Sequence, residues 1–105
     1  MIREIASIDV RHGDEAAFET GVEKALPLFM AAEGCLGVRL ERGIERPSHY
    51  LLVVEWRTVE DHTIGFRQSP AFAEWRALVG DYFAKPPEVE HVRQVELSAA
   101  GTPQT

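Results

Sequence analysis

Residues 50–56 of this protein, Tyr50-Leu51-Leu52-Val53-Val54-Glu55-Trp56, decide its fold. Five hydrophobic residues follow one another without a polar interruption, which is typical of a β-strand that is buried on both faces. We therefore expect a strand over 49–57 whose first face is covered by helices of the same chain. The second face needs another apolar surface, which a second copy of the chain would provide.

The sequence before this strand predicts a strand, a helix and a second strand. Apolar residues occupy alternate positions over 2–11 and again over 35–44, which is the two-residue period of β-strands. Between them, apolar residues recur three or four apart over 15–32. This spacing predicts a helix with Asp14 as its N-cap and Gly34 in a left-handed conformation after its end.

The sequence after residue 57 predicts two further helices and a last strand. Thr58 and Asp61 have the spacing of a capping box, which starts a short helix over 58–68. A serine-proline pair then starts a second helix over 70–83, which carries a wide apolar stripe. Two consecutive prolines end that helix, and renewed alternation predicts a strand over 88–97.

This order of elements is that of the ferredoxin-like α+β fold, βαββαβ, with a four-stranded antiparallel sheet and both helices on one face. Leu51 and Val53 then point to the uncovered face. The same face of a second copy would cover them, which predicts a homodimer built as a dimeric α+β barrel. We expect one domain over 1–97 and a mobile tail over 98–105.

Charge and composition exclude several classes of function. The 105 residues carry 11 Lys and Arg against 17 Asp and Glu, a net charge of −6, so nucleic acids and anionic membranes are unfavourable partners. The only cysteine, Cys35, permits neither an internal disulfide nor a cysteine zinc site. No apolar run reaches the length of a signal peptide or a membrane span, so we expect a cytoplasmic protein with no metal and no membrane partner.

Three segments of the sequence carry a resemblance to a known family: Glu33-Gly34-Cys35-Leu36 at the entry to the second strand, Glu55-Trp56 at the end of the third, and Phe66-Arg67-Gln68-Ser69 after it. They resemble the antibiotic biosynthesis monooxygenase family of dimeric α+β barrel domains, and the resemblance extends over residues 2 to 97. The resemblance implies this barrel fold. It leaves the function open, because the family includes cofactor-free oxidation of aromatic polyketides, quinol oxidation, heme degradation and isomerisation of small lactones.

The heme-degrading branch of this family has a strand asparagine, a strand-end tryptophan and an iron-ligating histidine. The resemblance aligns the asparagine with Ala6 and the histidine with Phe66, and only Trp56 matches. We therefore expect no cofactor, although His62, one helical turn before Phe66, is the residue that could reach the same cavity.

The candidate catalytic residues are His62 and Trp56. His62 shares a helical face with apolar residues, and a neutral imidazole can take a phenolic proton near pH 7, the first step of cofactor-free oxygenation. Trp56 would wall the pocket and donate its indole N–H to a substrate oxygen, and either residue could equally be structural. The expected substrate-binding residues are Tyr50, Phe66, Phe72, Phe83 and His91.

Other polar residues have structural explanations that compete with a role in the site. We expect Arg39 to form an ion pair with Glu41 or Glu55 on the uncovered sheet face, and Arg67 to stabilise the end of a helix. We interpret Cys35 as a small buried residue. We expect His12 and His49 to be solvated.

The leading hypothesis is a cofactor-independent monooxygenase that acts with molecular oxygen on a small phenolic, quinol or polyketide-like aromatic. The alternatives are a non-catalytic domain that binds a small apolar molecule, and an oxygen-independent isomerase or decarboxylase on the same scaffold. Oxygen consumption separates the first hypothesis from the other two.

Overall fold

The structure is a computed structural model, which describes residues 1–99. Its elements follow the predicted order: the predicted short helix after the third strand is a π-helix, and the predicted helix over 70–83 is an α-helix followed by a 3-10 turn. The elements are β1 (Ile2–Asp9), α1 (Glu15–Met30), β2 (Cys35–Arg42), β3 (His49–Trp56), the π-helix (Asp61–Phe66), α2 (Pro70–Val79), the 3-10 turn (Gly80–Tyr82) and β4 (Glu88–Val92).

The four strands form one antiparallel sheet in the order β2-β3-β1-β4, and the predicted ferredoxin-like fold is confirmed. Burial alternates strictly along β1, where even-numbered residues are buried and odd-numbered residues are partly exposed. The even-numbered face lies under the helices. In the register of the sheet, Val53 lies opposite Ile5 and Leu51 opposite Ser7, so both apolar residues belong to the other face as predicted. The dimeric barrel stays a prediction.

Aromatic rings fill the layer between the sheet and the helices. Phe29 of α1 stacks on Phe66 with ring centroids 4.8 Å apart, and the edge of Trp75 in α2 lies 5.1 Å away. The two α-helices approach closely at Gly21, where a Cβ would come within 2.8 Å of the carbonyl oxygen of Leu78. This packing fixes the position of α2 over the sheet.

Several predicted element boundaries differ from those in the structure. β4 ends at Val92 instead of residue 97, because Val92 pairs with Arg3 and β1 begins only one residue earlier. The predicted helix after β3 is a π-helix, a form with no distinctive sequence signature. The predicted tail, 98–105, lies outside the described residues from position 100 onward.

The predicted caps were correct at one helix and wrong at another. The Thr58 and Asp61 pair forms the reciprocal capping box, with backbone N–H to side-chain distances of 3.2 and 3.1 Å. Asp14 precedes α1 but forms no side-chain cap. Instead, the carboxylate of Glu15 accepts the N–H of Gly13 at 2.9 Å, so the turn before the helix is stabilised from inside the helix.

Candidate active site

The centre of the site is a network of buried polar side chains on the helix-covered face of the sheet. Glu4 is only 5% exposed. The indole N–H of Trp56 donates to its Oε1 at 3.0 Å, and Nε2 of His62 lies 3.3 Å from the same oxygen. Nδ1 of His62 lies 2.8 Å from Nε2 of His91. Four residues that are far apart in sequence therefore form one connected chain.

Each member of this network is positioned by a different element. Glu4 lies in the centre of β1 and is directly opposite His91 on β4. Trp56 ends β3, and its ring stacks on that of His62 with centroids 5.5 Å apart and an interplanar angle of 19°. His62 lies in the π-helix, where its carbonyl accepts the N–H of Arg67 at 2.9 Å, five residues along. Such wide turns are frequent at functional sites.

Burial changes the protonation of both Glu4 and His62. It raises the pKa of Glu4, against the opposing effects of the Trp56 hydrogen bond and the positive charge of Arg67. It lowers the pKa of His62 from 6.5 to about 4, and the charges of Arg67 and His91 lower it further. His62 is therefore neutral at pH 7. With its proton on Nε2, this N–H lies 3.3 Å from Oε1 of Glu4, and Nδ1 accepts from His91.

Glu4 and His62 open onto a cavity of about 430 Å³ between the sheet and α2. This volume lies within the range of sites for small ligands. The cavity is mainly apolar, with three cationic side chains among its lining residues. Its apolar wall includes Ala6, Ile8, Leu52, Phe72, Trp75 and Phe83, and its cations are Arg67, Arg76 and Lys85.

The structure brings some of the predicted site residues to this cavity. His62, Phe72 and Phe83 line it directly. His91 does not line it but is hydrogen-bonded to His62, and Trp56 lies behind Glu4 with no exposed surface. The indole N–H of Trp56 is thus committed to Glu4 and does not face a substrate.

Tyr50 and Phe66 lie elsewhere. The Tyr50 hydroxyl donates to Glu19 at 2.5 Å, and burial followed by the Glu19 carboxylate raises the pKa of this phenol. Phe66 is 3% exposed, and its ring packs against Phe29 and Trp56. Both side chains are parts of the core away from the lining of this cavity.

The sequence prediction missed the charged residues that line the cavity, which are Glu4, Arg67, Arg76 and Lys85. Glu4 has the same parity as Ile2, Ala6 and Ile8, so the alternation already placed a carboxylate on the buried face. Its position among apolar neighbours was the available signal. Arg67 lines the cavity in addition to following the π-helix. No local pattern distinguished that position.

The residues at the aligned heme positions do not fit that group. Ala6 and Phe66 carry no atom that can ligate iron. His62 does not replace them, because its two ring nitrogens lie within 3.3 and 2.8 Å of Glu4 and His91. Within residues 1–99, no group of three or more His, Cys, Asp or Glu side chains is arranged to hold a metal ion.

The remaining predicted polar residues lie outside this cavity. Arg39 pairs with Glu41 at 3.1 Å and with Glu55 at 3.8 Å, as expected. Burial raises the pKa of the Cys35 thiol. His12 is solvated, with a side chain 99% exposed.

The prediction that His49 is solvated was wrong. Its Nδ1 lies 2.7 Å from Asp9 and its Nε2 lies 3.2 Å from the Ser7 hydroxyl, because β3 pairs His49 directly with Asp9. These three side chains lie on the open face of the sheet, opposite the cavity.

Comparisons with known proteins identify the family. The family model described as antibiotic biosynthesis monooxygenase matches residues 1–78. A crystal structure from Bordetella bronchiseptica, named for the same family, is 58% identical, covers 90% of this chain and 97% of its own, and superposes with a TM-score of 0.89.

More distant relatives agree. The Bacillus subtilis protein YczJ, itself uncharacterised, is 39% identical over 95 residues, which are 90% of this chain and all of that protein. A Nitrosomonas europaea structure at 17% identity, covering 91% of this chain and all of its own, shares the fold with a TM-score of 0.78. Among residues 1–99, no helix has the length and apolar character of a membrane span.

The family model that matches residues 1–78 and the 39% identity to YczJ show that the chain belongs to the antibiotic biosynthesis monooxygenase family.

Proposed function

We propose that this protein is a cofactor-independent monooxygenase that oxidises a small phenolic, quinol or polyketide-like aromatic with molecular oxygen. The observation that carries the proposal is a buried carboxylate, Glu4, at the wall of a mainly apolar cavity and connected to two imidazoles. Such a cavity holds a flat aromatic ring and excludes water. A carboxylate whose pKa is raised by burial is a stronger base than one in water.

Glu4 is better suited than His62 to take the substrate proton. The pKa of His62 is about 4, and both of its nitrogens are engaged. Among residues 1–99, the Trp56 N–H donates to Oε1 of Glu4 and His62 approaches the same oxygen, so Oε2 is the oxygen available to a substrate. His62 and half-buried His91 then link Glu4 to solvent for proton exchange.

The chemistry balances without an external reductant, as an anthrone illustrates. Glu4 removes a proton from the ring methylene, and the resulting anion transfers one electron to oxygen to give a substrate radical and superoxide. The two radicals combine, and the peroxide takes the proton back from Glu4. Loss of water leaves the quinone, with one oxygen atom in the product and the other in water. All the electrons come from the substrate.

Oxygen uptake by metal-stripped protein with hydroquinones, naphthohydroquinones and anthrone tests this proposal. General base catalysis contributes at least about 100-fold, so Glu4→Gln is expected to lower kcat by that factor. Glu23→Gln, at an exposed position of α1, is the matched control and keeps full activity. Equal uptake by Glu4→Gln and the parent would exclude Glu4 as the base.

The same assay tests the two alternative functions. Substrate loss that continues under nitrogen would replace the oxygenase with an isomerase or decarboxylase. Ligands that raise the melting temperature without any oxygen uptake across the panel would indicate a binding domain.

We also propose a homodimer that forms through the open sheet face, where Ile5 and Leu51 are partly exposed and lie beside Val53, which is already buried within the chain. Sedimentation should give twice the chain mass of 11.8 kDa. Leu51→Glu would return the mass to that of one chain, whereas Ile44→Glu, a loop residue 89% exposed, would not. A dimer that survives Leu51→Glu would place the interface elsewhere.

A further inference from the structure

The cavity is positively charged in a protein that is negatively charged overall. Arg67, Arg76 and Lys85 line it against a single carboxylate, Glu4, while the whole chain carries a net charge of −6. All three cations are exposed residues, so they form the rim of the cavity. This local excess of positive charge favours an anionic ligand.

The cavity is elongated along β1. Three successive inward-facing residues of this strand line the cavity: Glu4, Ala6 and Ile8. At about 3.3 Å per residue, the distance from Glu4 to Ile8 is about 13 Å. The cavity therefore has two distinct ends, separated by an apolar middle that includes Ala6 and its cross-strand partner Leu52.

Arg67 lies at the Glu4 end, and Arg76 lies at the far end. The charge of Arg67 acts on both Glu4 and His62. At the far end, Phe83 pairs with Val10, beyond the end of β1, and the Arg76 guanidinium lies over the Phe83 ring at 5.8 Å.

Lys85 also lines the cavity, but its Nζ lies 3.3 Å from Asp9, a carboxylate on the open face of the sheet. Arg76 has no such partner: none of the ion pairs among residues 1–99 includes it. A guanidinium held against an aromatic ring keeps its N–H donors available, and its fork geometry matches a carboxylate.

We propose that the cavity takes an elongated aromatic carboxylate, with its anionic group bound by Arg76. Its acidic hydroxyl or ring methylene then lies at Glu4. The orientation of the reacting end rests on the proposed oxygenase function, whereas the preference for an anion rests on the cavity alone. A neutral quinol of the same shape would fill the apolar middle and leave Arg76 without an anionic partner.

Equilibrium binding of two ligands of the same shape tests this inference. Anthraquinone-2-carboxylate and anthraquinone-2-carboxamide differ only in the charge of one end, and calorimetry measures both without turnover. A charge-assisted contact corresponds to at least about a 10-fold difference in Kd, so the carboxylate should bind more tightly by that factor. Arg76→Gln should remove this preference and leave the carboxamide affinity unchanged.

Arg46→Gln is the matched control, because it removes the same charge at an exposed position of the loop between β2 and β3. It should leave both affinities unchanged. Equal binding of the two ligands to the parent, or an unchanged preference in Arg76→Gln, would overturn the inference.

The result is separable from that of the oxygenase assay. Preference for the carboxylate without oxygen consumption would support the anion site and refute the proposed oxygenase activity. Oxidation of anthrone without discrimination between the two ligands would support the activity and refute the anion site.

Discussion

Replacing His62 by glutamine should change how the stability of the protein depends on pH. His62 is 2% exposed, and this burial lowers its pKa to about 4, an effect that the charges of Arg67 and His91 increase, so it is neutral in the folded state. The unfolded chain takes up a proton near pH 6.5 and the folded chain only near pH 4. Folding is therefore opposed by acid, and the stability present above pH 6.5 is lost as the pH falls toward 4.

The expected size of this loss follows from the pKa. Lowering the pKa of His62 from 6.5 to about 4 corresponds to about 3 kcal/mol between pH 7 and pH 4. Glu4 acts in the opposite direction, because its pKa is raised by burial and its protonation in acid favours the folded state. The Glu4 contribution is present in the parent and in His62→Gln alike, so the difference between them isolates His62.

Urea unfolding followed by tryptophan fluorescence measures this difference, since Trp56 and Trp75 are both buried. The free energy of unfolding of the parent minus that of His62→Gln should fall by about 3 kcal/mol from pH 7 to pH 4. His12→Gln, at a fully solvated histidine, should show no such trend. A constant difference for His62→Gln would refute the assignment of His62 as a neutral, buried imidazole.

Three further substitutions have defined outcomes. Gly34→Ala should lower the free energy of unfolding in urea by about 1–3 kcal/mol, because Gly34 has a φ of +83° and a Cβ there would collide with the Asp61 carboxylate. Tyr50→Phe should cost about 0.5–1.5 kcal/mol for one lost hydrogen bond and leave oxygen uptake unchanged; a large loss of uptake would place this ring in the site. Trp56→Phe removes a donor that lowers the pKa of Glu4, so the acid limb of the pH–rate profile should move to higher pH; an unshifted limb would show that Glu4 is not the titrating group.

The fold was predictable from the sequence because each strand and helix has a local signal. The uninterrupted apolar run 50–54 predicted a strand buried on both faces. In the structure this strand is β3, which lies between β2 and β1 in the sheet. The Thr58 and Asp61 spacing predicted a capping box that forms as expected. The predicted boundaries were wrong where pairing with another strand decides where an element ends, as for β4, which ends at Val92.

The site was less predictable because its geometry depends on partners far apart in sequence. Local spacing correctly indicated that His62 faces inward, but not that Glu4 lies 3.3 Å away or that His91 lies behind it. The aromatic residues shared one signal, apolar periodicity, whether they line the cavity, as Phe72 does, or only the core, as Phe66 does. Sequence alone cannot separate those two roles.

Two departures from local regularity meet at one atom, Oε1 of Glu4. A leucine at this position of β1 would be stabilised by about 1.5–3 kcal/mol of burial, whereas a buried carboxylate is costly unless donors surround it. His62, its second partner, lies in a π-helix where the sequence predicts an ordinary helix. Departures of this kind, without a gain in packing, are expected at functional sites. The cluster of Ser7, His49 and Asp9 is not such a departure. Ser7 and Asp9 occupy partly exposed positions of β1, where the alternating pattern predicts polar residues. Both departures lie at the cavity, which supports the proposed catalytic role of Glu4.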